Sequence, residues 1–305
     1  MLNRHNKITI VVALAATLLF GAFQYLRHRT FDVLSPAGPV AAQEKHLMIV
    51  AVLLMLIVVV PVFVLLAVIS WRYREGGNKK AKYTPDWDRH KGFETIWWGL
   101  PTMIIIILSI ITWNSSHRLD PSRALVSSTP SITIQVVAMQ WKWLFIYPQQ
   151  QIASVNYLQL PVNTPVNFEI TSNSTMNSFW IPQLGGQIYA MAGMSTQLHL
   201  MADKAGSYRG SSANVSGIGF AGMHFQAQAT SRDQFDAWVA AGQHSNTMLD
   251  QAKYGVLAIP DKQAHAADQA QQQVYFLADS NLYNQIVSVS GGDDMMQGMN
   301  HGATY

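Results

Sequence analysis

The chain contains no cysteine. That one absence excludes disulfides, thiolate metal sites, a cysteine nucleophile and a lipid-modified N-terminal cysteine. Charge is also scarce. Asp, Glu, Lys and Arg make up 12% of the 305 residues, where about a quarter is usual for soluble domains. With 49% of the chain apolar, a large part of it is built to avoid water. The formal net charge of +3 is small and spread along the sequence, which excludes the basic patch that nucleic acid requires. The ten histidines are scattered, and no pair has the helical or hairpin spacing of a metal site.

Long apolar runs are what the chain has instead. Arg4 and Lys7 precede an apolar run from Ile8 to Phe23, the layout of a signal peptide or N-terminal membrane anchor over residues 1–28. Leu47 to Ser70 is then 24 residues without a charge. At about 1.5 Å per residue it is long enough for the roughly 30 Å hydrocarbon layer. A second uncharged stretch, the 22 residues from Thr95 to Ser116, carries Trp97, Trp98 and Trp113 near its ends, where indole rings favour the membrane interface. Between the two runs, seven Lys and Arg stand against four acids in residues 72–94, which places this short loop in the cytoplasm. Residues 45–116 are therefore expected to form a transmembrane hairpin with both ends outside, followed by a periplasmic domain over 117–262. That domain reads as an all-β sandwich, since Ser131–Ala138, Val155–Leu160, Pro165–Thr171 and Gln197–Met201 are short strand-like runs between turn signals. Asp233 to Ala241 turns helical, with Phe235, Trp238 and Val239 on one face. The Gln-, Ala- and Gly-rich extension 263–305 is expected to be partly helical and loosely ordered. It ends with Met295, Met296, Met299 and His301, a weak soft-metal cluster at most.

From Tyr208 to Met223, nine of sixteen residues are Gly, Ala or Ser, a composition that predicts a shaped loop rather than a helix or core strand. Three segments then carry a resemblance. Gln140-Trp141-Lys142-Trp143, with Tyr147 and Pro148 beyond it, resembles the aromatic segment of subunit II of the haem-copper terminal oxidases. Asn177-Ser178-Phe179-Trp180-Ile181-Pro182 is similar to the segment that carries that family's first copper ligand, a His, at the position of Asn177. Tyr208 to Met223 resembles its copper loop, with Ser212, Ser216, Phe220 and Met223 at the positions of Cys, Cys, His and Met. The wording is closer to ubiquinol oxidases of the cytochrome bo type, which Thr-Ser-Asn-Ser-Thr-Met-Asn-Ser-Phe and Gly-Phe-Ala-Gly-Met resemble. The likeness runs from about residue 45 to 260.

The resemblance implies a membrane-anchored α+β chain, a two-helix transmembrane hairpin followed by a cupredoxin-like β-sandwich that lacks the family's dinuclear copper site. Such a centre needs two bridging thiolates, because soft sulfur delocalises the electron over both metals. Serine is a hard, weak ligand, so Ser212 and Ser216 remove the bridge, and Phe220 and Asn177 remove both imidazoles. Asn214 stands where the family has a Glu that contributes to a magnesium site. No metal or other cofactor is expected in this chain, and the resemblance places haem and copper in the partner subunit I. It implies smaller oxidase subunits, membrane lipid and ubiquinol as further partners, in a bacterial inner membrane. Trp141 and Trp143 match positions that help electrons enter in cytochrome c oxidases; without copper behind them, packing of the core or of the subunit I interface is the expected use. Glu94, before the second span, has a helix-terminal use. In the family, the same Glu-Thr-Ile-Trp run lies at the entrance of a proton path into subunit I. Two rivals remain at this point: a cytochrome c oxidase subunit II, which the missing ligands disfavour, and a membrane-tethered binding module acting alone.

Overall fold

Apolar length alone makes two long helices. In the computed structural model, which describes residues 31–74, 89–260 and 273–290 with positions 17, 20, 21, 24 and 25, α1 is Pro39–Arg72 and α2 is Lys91–Arg118. Nearly the whole leader segment, the middle of the basic loop and the Met295–His301 cluster lie outside the described residues. Both helices are long and apolar enough to cross a membrane, with mean hydropathy of 3.5 and 1.9 over their most apolar windows and almost no side chain covered. Pro61 and Pro101 sit inside them. Hydroxyls within α2 close on the carbonyl four residues back, Thr102 Oγ1 to Trp98 at 2.7 Å and Ser109 Oγ to Ile105 at 2.8 Å, so neither brings an unmet donor into an apolar setting.

At 34 residues α1 begins two turns before the apolar run. It spans about 51 Å at 1.5 Å per residue, well beyond the roughly 30 Å hydrocarbon layer. The extra turns are docked on the β domain: Ala37 N–H donates to the Gln183 carbonyl at 2.8 Å, and Ala41 N–H to the Leu184 carbonyl at 3.2 Å. Gly38, just before the helix, makes this approach possible, because a Cβ there would lie 2.2 Å from the Met201 carbonyl oxygen.

The domain that follows is a two-sheet sandwich. In chain order its strands are β1 Ile132–Met139, β2 Lys142–Tyr147, β3 Ile152–Val155, β4 Tyr157–Pro161, β5 Val166–Ser172, β6 Asn177–Trp180, β7 Ile188–Ala190, β8 Thr196–Leu200, β9 Gly206–Ser212, β10 His224–Thr230, β11 Met248–Leu249 and β12 Val274–Leu277. One sheet has the order β11-β12-β3-β2-β1-β5-β8 and the other β4-β10-β9-β6-β7. Trp143, Phe145, Phe168, Phe179 and Phe225 fill the space between them, with Phe179 stacked on Phe225 at 5.2 Å and 9°. Helix α3, Arg232–Gln243, opens with a capping box from Ser231 and Gln234 and buries Phe235 and Val239, with Trp238 packed beside them. The short helix α4 is Gln251–Ala258.

Three expectations are corrected. Val155–Leu160 is not one strand: Asn156 adopts φ 54 and its Oδ1 accepts the Trp143 N–H at 2.8 Å, a corner that sends β3 into one sheet and β4 into the other. The first part of the small-residue segment, through Ser212, is strand β9, and its small residues serve packing: a Cβ at Gly210 would lie 2.1 Å from the Phe225 ring. The C-terminal extension is not loose over its described part, and the β domain does not stop at 262. Strand β12 pairs with β3 and β11, and helical residues 282–290 follow it. Leu277, Leu282, Tyr283 and Ile286 cover Val137, Met139, Leu144 and Ile146 on the outer face of the larger sheet.

Candidate functional site

The sheet of β9 and β6 brings the loop positions together. Phe179 pairs with Ser212, the Ser212 N–H donates to the Met223 carbonyl at 3.0 Å, and the Ala213 N–H to the Ser178 carbonyl at 3.1 Å. Asn177, at the start of β6, is thereby held against Ser212, at the end of β9. The Ser212 hydroxyl donates to Asn177 Oδ1 at 3.0 Å, and Asn177 Nδ2 donates to the Thr175 carbonyl at 2.9 Å. Asn214 Nδ2 ties the loop to the Met176 carbonyl at 2.9 Å. Phe220 opens a single 3-10 turn, Phe220–Gly222, that delivers Met223 into the core at 1% exposure. The Ser216 hydroxyl is 4.0 Å from the Met223 sulfur.

Trp141 belongs to the same site. It occupies the hairpin between β1 and β2 with φ 65, an unusual conformation for a bulky residue. Its indole Nε1–H donates to the Ser216 carbonyl at 3.2 Å. The ring lies flat along the loop, where a Cβ at Gly219 would stand 2.2 Å from Trp141 Cδ2. Gly217 has φ 111, a left-handed turn that glycine takes without strain. Trp143 sits elsewhere, fully buried and edge-on to Phe179 at 5.4 Å. Composition did not single out Val215 and Ile218, which project from the loop at 77% and 94% exposure. Two β-branched residues in a Gly- and Ser-rich stretch were the available signal.

The donor set does not fit copper. The Ser212 hydroxyl is spent on Asn177 Oδ1 and the Asn177 amide donates onward to the Thr175 carbonyl, Phe220 offers no donor atom, and Met223 supplies a lone thioether. Among the described residues there is no cluster of three or more His, Cys, Asp or Glu side chains placed for a metal ion. The polar atoms at these positions close the loop on itself, which is work a metal would otherwise do.

Glu94 is remote from this loop, in the first turn of α2. His90 Nδ1 accepts the Phe93 N–H at 3.3 Å, so the cap of α2 is made by another side chain. Arg89 Nε lies 3.8 Å from Glu94 Oε1, both groups facing solvent.

Residues 149–230 match the family described as "Cytochrome C oxidase subunit II, periplasmic domain". The β domain is therefore of the oxidase subunit II class. The "Cytochrome bo(3) ubiquinol oxidase subunit 2" of Pseudomonas putida is 48% identical over 272 residues, covering 89% of this chain and 82% of its own. The "Ubiquinol oxidase subunit 2" of Acetobacter aceti is 48% identical over 233 residues, 76% of either chain. The "Quinol oxidase subunit 2" of Bacillus subtilis strain 168 is 38% identical over 231 residues, covering 75% of this chain and 72% of its own. Among solved structures, the periplasmic domain of subunit II of cytochrome oxidase from Bradyrhizobium japonicum is 22% identical with TM-score 0.36, covering 39% of this chain and 96% of that one. The chain belongs to the ubiquinol oxidase subunit 2 family.

Proposed function

We propose that this chain is subunit II of a proton-pumping ubiquinol oxidase that reduces oxygen to water in an aerobic respiratory chain, and that it carries no redox centre itself. Haem and copper then reside in subunit I, and ubiquinol binds elsewhere in the complex, which also holds smaller subunits. The observation that carries this reading is the closed loop, in which Ser212 and Asn177 bond to each other where a copper centre would need thiolate and imidazole. A domain without a metal has nothing to receive an electron from a docked cytochrome. Its work is to cap and stabilise subunit I on the periplasmic side of the bacterial inner membrane. Trp141 and Trp143 serve packing in this reading, one holding the loop and the other filling the core. The leader over residues 1–28 delivers the chain to the membrane.

Glu94 is assigned a proton-entry role at the cytoplasmic end of α2. The His90 cap supports it, since the carboxylate is not spent on closing the helix end, and ionisable groups at a membrane edge facing a partner are functional candidates. The electron-donor assignment is tested on the purified complex: it oxidises ubiquinol and fails to oxidise reduced cytochrome c at a comparable rate. Efficient turnover of cytochrome c overturns it in favour of a cytochrome c oxidase subunit II.

A further inference from the structure

Where the two spans meet the β domain, a cleft of about 370 Å³ opens between the first turns of α1, the end of α2 with the segment after it, and strand β8. It shares Gln43, Arg118 and Leu119 with a second cavity of about 350 Å³ that also takes in His46, Leu47 and Ser115. That cavity shares Leu47, Ser115 and Leu119 with a third, of about 380 Å³, lined by Val50, Ala51, Leu108 and Ile111 between the spans. The three adjoin through these shared walls as one line of cavities, a path polar at the domain end and apolar along the helices.

Charges at the polar end are balanced. Arg118 and Arg123 face Glu44 and Asp120 in the same cleft, with His199 beside them. Among the described residues, the Arg118 side chain makes no hydrogen bond or ion pair, and Arg118 lines both of the cavities nearest the domain. Arg123 spends Nη1 on the His117 carbonyl at 3.2 Å. Asp120 accepts from Ser122 N–H at 2.9 Å and from its hydroxyl at 2.6 Å, both at Oδ1, which holds the carboxyl below the usual range and keeps it charged. Glu44 Oε1 accepts the Gly186 N–H at 3.0 Å. An apolar groove continuous with a cleft of two guanidinium and two carboxyl groups is complementary to a molecule with a hydrocarbon chain and a zwitterionic head.

We propose that this path is a binding site for a phospholipid with a primary-amine headgroup, from the leaflet next to the β domain. One acyl chain lies along Leu47, Ala51, Leu108 and Ile111, the phosphate meets Arg118 and Arg123, and the ammonium meets Asp120 and Glu44. Two guanidinium groups facing two carboxyl groups favour this head over a net-anionic one. Burial pushes Glu44 above the usual carboxylate range against its bond from Gly186, so Asp120 is the firmer anion, and the carboxyl groups distinguish this head from a choline head, which has no N–H to donate. The proposal is independent of the electron donor of the complex.

The test uses the intact oxidase in nanodiscs of phosphatidylethanolamine and phosphatidylglycerol. Each sample carries a trace of photoreactive-acyl lipid with an ethanolamine, glycerol or choline head, and labelled peptides are mapped by mass spectrometry. The ethanolamine probe should label the peptides holding residues 47–51 and 108–112 about fivefold more than the other two, the effect of roughly one exposed charge contact. Arg118→Gln should lower that labelling to the level of the choline probe, and Asp120→Asn should remove the preference for ethanolamine over glycerol. Haem content reports assembly of each variant, so failure of one to assemble leaves the other to decide. Equal labelling by all three heads overturns the proposal, as does no labelling, the result expected if partner-subunit side chains fill the groove. Labelling unchanged in the assembled variants overturns it too.

Discussion

The contact between Trp141 and Gly219 makes a quantitative prediction. In Gly219→Ala the new Cβ would lie 2.2, 2.4 and 2.6 Å from Cδ2, Cγ and Cε3 of the indole, where ordinary contact begins at 3.4 Å. The ring must therefore move by about 1.2 Å, the difference between 3.4 and 2.2 Å. It has little freedom to do so, being held by its bond to the Ser216 carbonyl and by the turn conformation at φ 65. Overpacking costs about 1–3 kcal/mol and a disturbed hydrogen bond about 0.5–1.5 kcal/mol, so the loss should be roughly 1.5 to 4.5 kcal/mol. The assay is urea unfolding of the separately expressed β domain in a double-mutant cycle with Trp141→Ala. Gly219 itself has φ −86, a conformation alanine adopts freely, so without the indole the same substitution should be neutral or stabilising by up to about 1 kcal/mol. Gly217→Ala is the control. Its Cβ would meet the indole at an unstrained 3.5 Å, but its φ of 111 penalises any side chain, so its cost should be the same with or without Trp141. Equal losses for Gly219→Ala in both backgrounds would refute the claim that the loop is shaped around this ring.

The isolated β domain should fold without copper and show no copper–thiolate absorption when copper is supplied; stoichiometric tight copper with such bands sinks the reading. Placing Cys at 212 and 216 and His at 177 and 220 should let the loop take up copper, with weak affinity because Asn214 and the surrounding groups are untuned. Glu94→Gln keeps the shape and removes the titrating proton, so oxidase turnover should fall while assembly and haem content stay intact; unchanged turnover across pH 6 to 8 leaves Glu94 a helix-terminal residue. Burial pushes Tyr254 and Tyr283 up to about 12 despite their bonds with Asn173 and Ser195. In the unfolded chain both ionise near their ordinary value of about 10. The folded state thus retains protons that the unfolded state has lost, and stability should fall between pH 10 and 12, by at most about 1.4 kcal/mol per unit for each ring and less for their partial exposure. Melting curves of Tyr254→Phe and Tyr283→Phe should be flatter over that range; parallel curves refute the assignment.

Much of this fold was legible because its signals are local. Uncharged runs of membrane length, and the alternation in Ser131–Ala138, need no tertiary context to be read. What failed depends on contacts distant in sequence. The start of α1 is cut off from the apolar run by the polar residues Gln43 to His46 and is set by Gly38 packing on the Met201 carbonyl. The strand β9 looked like loop because its glycine makes room for Phe225, and Val274–Leu277 was too short a run, beside a Gln-rich segment, to stand out. At the site, resemblance marked the positions that would have held copper. It did not reveal that Asn177 and Ser212 bond to each other, or that Trp141 and the loop form one unit, since those pairs are 35 and 75 residues apart. Glu94 was legible as a carboxylate at a helix start, but the cap by His90 was not, since an imidazole is an uncommon cap.

The seam where β12 joins β3 has a consequence for timing. Strand β12, at residues 274–277, lies beside β3, at residues 152–155, so the larger sheet stays unfinished until residue 277 has been made. Until then Leu144 and Ile146 face water, as a holding chaperone or a protease would meet them. A molecule whose synthesis stops short of residue 274 would keep that greasy face open for good. Closing that face is thus the task of residues 274–286, which shield the sheet only once everything between them and β3 is in place.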